Sequence, residues 1–144
     1  MTRDDTAQAV FGAFDGTCSA VGMIASLAIS NAASLLTAAI ALAVGAAVSM
    51  GFGEWLSDPQ SRVHRALVMG GATLAGSIVP AAPYVALTGL RAAVACAAVT
   101  VGCGAVIAEL RPGARTPSYA KTFGVMVVAC GAAVAASRLA GGAG

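Results

Sequence analysis

The amino-acid sequence predicts an all-α integral membrane protein with five transmembrane helices. Of its 144 residues, 58% are hydrophobic and 10% are charged, whereas a soluble domain carries about 25% charged residues. The mean hydropathy is +0.86. Long windows without Lys or Arg reach the roughly 17–25 residues that a helix needs to cross a bilayer. We therefore predict a single membrane domain over residues 1–144 and no soluble domain.

The five predicted spans are separated by short segments of turn-forming and helix-breaking residues. The spans cover residues 8–29, 35–57, 66–87, 92–110 and 121–139, and the separating segments lie at 31–34, 57–59, 88–89 and 111–117. Asp4, Asp5 and Asp15 stand where a signal peptide would carry positive charge and then an unbroken apolar run, so we expect the first helix to be retained. Pro80 and Pro83 lie inside the third span, where proline interrupts the helix hydrogen bonds.

The basic residues predict the orientation, because Lys and Arg are enriched in short cytoplasmic loops. With five spans, six basic residues fall on one side of the membrane and two on the other. The six are Arg3, Arg62, Arg65, Arg111, Arg115 and Lys121, and the two are Arg91 and Arg138. We therefore predict a cytoplasmic N-terminus and an external C-terminus. No clustered basic and aromatic surface indicates binding to nucleic acid.

Two acidic side chains, Asp15 and Glu54, fall inside predicted spans. A carboxylate within a membrane helix costs about 3 kcal/mol on insertion scales and commonly marks an ion or proton site. At 1.5 Å per residue, Asp15 and Met50 are each expected about 10 Å from the cytoplasmic surface, and Glu54 about 5 Å from it. Met50 and Glu54 are four residues apart and share a helix face. The three side chains predict an ion pathway.

Carboxylate oxygens combined with a thioether suit a divalent first-row metal such as Fe²⁺ or Mn²⁺ better than Na⁺ or K⁺. One chain offers too few ligands for octahedral coordination, and a two-fold homodimer would double the set. Small residues at four-residue spacing allow close packing of the first two helices. They are Gly12, Gly16 and Ala20 on the first helix and Ala41, Gly45, Ser49 and Gly53 on the second. We expect the metal as a transported substrate and no permanently bound cofactor.

Three further residues are secondary candidates for the pathway. Cys18 lies one turn from Asp15, although a free cysteine within a span more often serves packing. Ser49 precedes Met50 in the second helix. His64 is expected in the loop after that helix, where Arg62 and Arg65 would oppose a cation.

Three segments of the sequence together resemble the vacuolar iron transporter family. They read FGAFDGTCSAVGMIASLA, GAAVSMGFGEWLS and GSIVPAAPY, and they match a DG pair in the first helix, S-M-x-x-G-E in the second and a G-x-x-x-P-x-x-P-Y break in the third. The resemblance implies five transmembrane helices, a cytoplasmic N-terminus and a homodimer with the path between subunits. It also implies export of Fe²⁺ or Mn²⁺ from the cytosol coupled to protons.

By these motifs, Asp15 resembles the pathway aspartate of the family, Met50 its pathway methionine and Glu54 the glutamate near the cytoplasmic entrance. The chain departs from longer members, which carry a glutamate-rich cytoplasmic domain between helices two and three. Here that position holds only about ten residues. Short members without the domain also occur in the family.

The sequence thus favours a divalent-metal transporter in a membrane, most simply a bacterial cell membrane. The alternative is a non-transporting membrane protein for interaction or assembly, a degenerate member of the family. An enzyme is not expected, because no Ser/His, paired-Asp or metalloprotease spacing occurs. The expected partners are divalent metal ions, protons, the lipid bilayer and a second copy of the chain.

Overall fold

The computed structural model describes residues 3–30, 35–60, 62–111 and 115–141. These residues form six helices and no strand, which confirms the all-α prediction for this part of the chain. The helices are α1 (Arg3–Ser30), α2 (Leu35–Ser57), α3 (Val63–Ala81), α4 (Pro83–Ala86), α5 (Gly89–Leu110) and α6 (Arg115–Gly141).

Within the described residues, four segments are long and apolar enough to cross a membrane, which indicates a multi-pass membrane protein. They are Leu35–Ser57, Val63–Ala86, Gly89–Leu110 and Thr116–Ala136. Helix α1 has 28 residues and is not among these four. The prediction that α1 is a fifth span stays a prediction.

The helix boundaries follow the predicted ones, with two kinds of difference. Helix α2 has the predicted bounds 35–57, whereas α1, α3, α5 and α6 each begin three to six residues earlier than the predicted spans. Their polar first turns continue the helix beyond the apolar window on which the spans were based. Segments 31–34 and 112–114, expected as turns, lie outside the described residues.

The two prolines divide the third predicted span, as expected. Pro80 is buried inside α3, and Pro83 stands in the first turn of α4. Between the two helices, the N–H of Ala82 donates to the carbonyl oxygen of Ile78 at 3.0 Å. Gly89 then begins α5 with a φ of 59°, a left-handed conformation that glycine adopts without steric cost.

Helix α3 is the centre of the packing, and α1 lies against it through small residues. A Cβ added to Gly16 would collide with the backbone oxygen of Thr73, and one added to Gly76 would collide with Ala13. The hydroxyl of Ser77, which also lies at this interface, donates to the Thr73 oxygen at 2.9 Å. Gly12 and Gly16 of α1 therefore allow close contact with α3, and not with α2 as the sequence suggested.

Helix α2 packs against α3 through a different face from its predicted glycine stripe. Gly51 lies against Ala66, and Gly70 lies against Ala47. The α2 stripe, defined by Ala41, Gly45, Ser49 and Gly53, is exposed along its length. Within the described residues, no atom lies within 4 Å of a Cβ built on Gly45 or Gly53. The α2 stripe is therefore available to another chain or to lipid.

Candidate functional site

Three helices meet through polar side chains at one end of the bundle, which we call the N-terminal end. It comprises the start of α1, the end of α2 and the start of α3. Arg65 of α3 forms an ion pair with Asp4 of α1, and His64 Nε2 lies 3.5 Å from Asp5 Oδ1. Asp5 is only 5% exposed. These contacts hold α1 and α3 together at this end.

Glu54 also lies at the N-terminal end, where it contacts α1. Gln8 Nε2 donates a hydrogen bond of 2.8 Å to Glu54 Oε1, and both residues are half-buried. The sequence analysis selected Glu54 but missed Gln8. A usable signal was present, because Gln8 precedes Asp15 by seven residues and therefore shares its helix face.

Asp15 lies deeper in α1, about 10 Å beyond Gln8 at 1.5 Å per residue. It is half-buried, and none of the described residues forms a hydrogen bond or an ion pair with it. In this respect Asp15 differs from Asp4, Asp5 and Glu54, each of which has a partner for one carboxylate oxygen. Among the described residues, Asp15 is therefore the carboxylate within a predicted span that has no hydrogen-bonding or ionic partner.

The contacts with α3 establish relative depth along the bundle. A Cβ added to Gly12 would lie 2.5 Å from the Met69 oxygen, and one added to Gly70 would lie 2.8 Å from the Ala47 oxygen. Met69 and Gly70 are adjacent in α3. Gly12 of α1 and Ala47 of α2 therefore lie at nearly the same depth, and both can be used as reference points.

Asp15 and Met50 do not lie at the same depth, in contrast to the expectation from the sequence. Asp15 is three residues further from the N-terminal end than Gly12, whereas Met50 is three residues nearer to that end than Ala47. At 1.5 Å per residue, Asp15 lies about 5–9 Å deeper than Met50, the smaller value following from the Gln8–Glu54 hydrogen bond and the larger from the Gly12 and Gly70 contacts. Glu54, Met50 and Asp15 thus lie at three successive depths along the bundle, which we call levels, and do not form one shared site.

Met50 is half-buried and belongs to the interior face of α2. It follows the buried Ala43 by seven residues and Ala39 by eleven, which are helical spacings for one face. Glu54, one turn further along, lies on the same face and reaches α1. The α2 helix therefore presents a thioether and a carboxylate in order from the interior to its end.

The secondary candidates are not brought to Asp15 in a common cluster. Cys18 is half-buried and has a free thiol. Ser49 lies on the exposed α2 stripe, and His64 is in the first turn of α3 rather than in a loop, with its side chain 72% exposed. Among the described residues, no three His, Cys, Asp or Glu side chains form a group that could hold a metal ion.

The connection from α2 to α3 is closed by Asp58 and Arg62. Arg62 Nε donates to Asp58 Oδ2 at 2.9 Å, and the Arg62 backbone N–H donates to the same oxygen at 3.0 Å. These hydrogen bonds hold the pKa of the Asp58 carboxyl well below its usual range and raise the pKa of Arg62. Asp58 and Arg62 therefore neutralise each other within the α2–α3 connection.

Comparisons of the chain with protein-family models, with curated proteins and with solved structures gave no match. The resemblance to the vacuolar iron transporters therefore depends on the three sequence segments that carry it, and family membership is part of the proposal that follows.

Proposed function

We propose that this protein exports a divalent metal ion, Fe²⁺ or Mn²⁺, from the cytosol in exchange for protons, as the resemblance to vacuolar iron transporters implies. The observation that carries the proposal is Asp15, a half-buried carboxylate with no partner among the described residues. An unpaired charge in a membrane helix is costly, by about 3 kcal/mol on insertion scales. Binding of a cation or a proton removes that cost.

The order of donors supports a pathway from the N-terminal end inward. Glu54 stands at the mouth and is held by Gln8 at 2.8 Å. An arriving cation competes with the Gln8 amide for the Glu54 carboxylate, passes the Met50 thioether and reaches Asp15. Asp15 holds the metal when ionised and a proton when the metal has left, so the same carboxylate couples the two opposite movements.

A second copy of the chain would complete the coordination. A single donor side chain at each level leaves a divalent ion short of its usual set of ligands, and a two-fold axis beside α1 and α2 would double each level. The exposed α2 stripe supports association of two copies, since small residues let two helices approach closely in a membrane, and it lies on a different face of α2 from Met50 and Glu54. We propose a homodimer with the N-terminal end in the cytoplasm of a bacterial cell.

The alternative function is a membrane interaction or assembly protein that transports nothing. Three observations favour it. The α2 stripe is a ready helix-packing surface, and the described residues of one chain hold no three-residue metal cluster. The connection between α2 and α3 is also too short for a metal-collecting domain. A partnerless Asp15 has no role in this alternative, so its substitution separates the two functions.

The test is metal-driven proton flux in proteoliposomes. Asp15→Asn should abolish the flux while expression and dimerisation persist, because the amide is nearly the same size but carries no charge to exchange. Glu109→Gln is the matched control, since Glu109 is an exposed carboxylate bonded to Tyr119 at the N-terminal end. Full flux from the Asp15→Asn protein would exclude this mechanism and favour the assembly function.

The same assay compares the contributions of Glu54 and Met50 with that of Asp15. Glu54→Gln should reduce the flux less than Asp15→Asn, because the mouth serves entry rather than exchange. Met50→Leu should change the preference among Fe²⁺, Mn²⁺ and Co²⁺ while leaving stability nearly unchanged, since it replaces a thioether by a hydrocarbon of similar volume. Equal losses in all three variants would contradict the proposed order of levels.

A further inference from the structure

A cleft of about 630 Å³ opens between α1, α5 and α6, on the opposite face of α1 from Gly12 and Gly16, which contact α3. Its walls are large apolar side chains, and one guanidinium stands at its edge. The residues used below are Phe11, Phe14, Ile107, Leu110, Val125 and Arg111. The volume is within the roughly 300–1,000 Å³ of sites that enclose small organic molecules.

The cleft lies where a membrane span ends. Leu110 is the last residue of the span Gly89–Leu110, and Val125 lies inside the span Thr116–Ala136. The cleft therefore extends from the hydrocarbon region to the headgroup region at the N-terminal end. Phe11 is 57% exposed and Val125 is 52% exposed, so the cleft is open sideways to the bilayer.

Arg111 gives the edge of the cleft a positive charge. Its Nη1 donates to the hydroxyl of Thr122 at 3.3 Å, and no carboxylate among the described residues forms an ion pair with it. The acidic residue that lines the cleft, Asp4, is paired with Arg65. The Arg111 guanidinium at the edge of the cleft is therefore not neutralised by a carboxylate of the described residues, and its N–H groups can donate to an anion.

We propose that this cleft binds an anionic phospholipid, with the phosphate at Arg111 and an acyl chain between α1, α5 and α6. Basic positions beside membrane helices attract anionic headgroups, and guanidinium N–H groups match phosphate oxygens in geometry. A zwitterionic lipid fits less well, because its own cation competes for the phosphate. The site is separate from the Asp15 pathway, and the proposal does not depend on metal transport.

The test uses the full-length protein equilibrated in nanodiscs with equal amounts of phosphatidylglycerol and phosphatidylcholine, followed by native mass spectrometry of the retained lipid. Phosphatidylglycerol should be retained preferentially. Arg111→Gln should weaken its retention about fivefold, the effect of one basic residue near an anionic surface. Arg91→Gln is the matched control, because Arg91 is exposed at the opposite end of the same helix.

A second variant tests binding of the acyl chain in the cleft independently of the Arg111 charge. Ala7 lines the cleft and is exposed, so Ala7→Trp should fill the acyl-chain space, keep Arg111 and still lower the retention of both lipids. Arg111→Lys keeps the positive charge and should largely restore the preference for phosphatidylglycerol. If Arg111→Gln fails to fold, the lipid preference of Arg111→Lys is the measurement that tests the role of the charge.

Three results would overturn the proposal. One is equal retention of the two lipids by the wild-type protein. Another is unchanged retention by both Arg111→Gln and Ala7→Trp. The third is a dimer that carries no lipid and is disrupted by Ala7→Trp, which would show that a second copy of the chain covers the cleft.

Discussion

At the scale of residues, the charged side chains divide into those that satisfy one another and those that do not. Asp58 and Arg62 form a closed pair within the α2–α3 connection, and Asp4 pairs with Arg65 between helices. Asp15 has no such partner among the described residues. Because a paired charge stabilises local structure and an unpaired one invites a ligand, pairing and not charge alone separates structural from functional candidates.

Acidification below about pH 4 should destabilise the α2–α3 connection. Arg62 lowers the pKa of Asp58 in the folded protein, so the contribution of this carboxylate to stability is complete above the unfolded aspartate pKa of about 3.9 and is lost as the pH falls below it. Trp55 is the single tryptophan and lies three residues before Asp58, so its fluorescence reports this loss during an acid titration in detergent.

Asp58→Asn is the control for that titration. The amide does not titrate, so the Trp55 signal should start from a less stable connection and show a smaller change with pH. A wild-type transition in the Asp58→Asn protein would mean that other carboxyl groups cause it. Asp5 is then the next candidate, because it is buried beside His64.

At the scale of helices, small residues predicted close packing correctly but did not identify the partner helix. Gly12 and Gly16 lie against α3, whereas Gly45 and Gly53 lie against nothing in the described part of the chain. Four-residue spacing defines the smooth face of one helix and contains no information about the helix opposite. The proline interruption after Pro80 was predictable because it depends on local chemistry alone.

Substitutions at Gly16 of α1 and at Gly45 of the α2 stripe should therefore affect different properties of the protein. Gly16→Leu should lower the free energy of unfolding of the monomer by about 1–3 kcal/mol, because the added side chain collides with the backbone of α3 at Thr73. Gly45→Leu should leave monomer stability unchanged and weaken the dimer. Thermal unfolding in detergent and cross-linking in native membranes measure the two effects.

Gly45→Ala provides the matched control, since it adds a single methyl group to the α2 stripe and improves helix propensity by up to about 1 kcal/mol. It should unfold at the same or a higher temperature and still form dimers. If Gly45→Leu dimerised fully, the α2 stripe would not be the interface. The doubling of ligands at Asp15 would then need a different contact between subunits.

At the scale of the whole molecule, the sequence predicted what depends on hydropathy and local chemistry. Four of the five spans meet the length and hydropathy expected of membrane helices. The depth of Met50 relative to Asp15, the Gln8 partner of Glu54 and the cleft beside Arg111 could not be predicted. Each depends on how helices slide and rotate against one another, which the periodicity of a single helix does not specify.

The packing supports α1 as the fifth span. Gly12 lies beside Thr73, and Gly16 lies beside Ser77 further along α3, so α1 and α3 run in the same direction. Gly70 contacts Ala47 while Gly51 contacts Ala66, so α2 runs the opposite way. A 28-residue helix parallel to a membrane span covers about 42 Å at 1.5 Å per residue, more than the hydrocarbon core of about 30 Å.

Five spans would place the two termini on opposite sides of the membrane, and the excess of basic residues at the N-terminal end predicts that this end lies in the cytoplasm. A reporter that is active only in the cytoplasm should therefore be active when inserted before Asp4 or between α2 and α3, and inactive when fused after Gly144. Activity at both termini would mean four spans and an α1 outside the membrane. Asp15 would then face water, and the metal-transport proposal would lose the burial on which it depends.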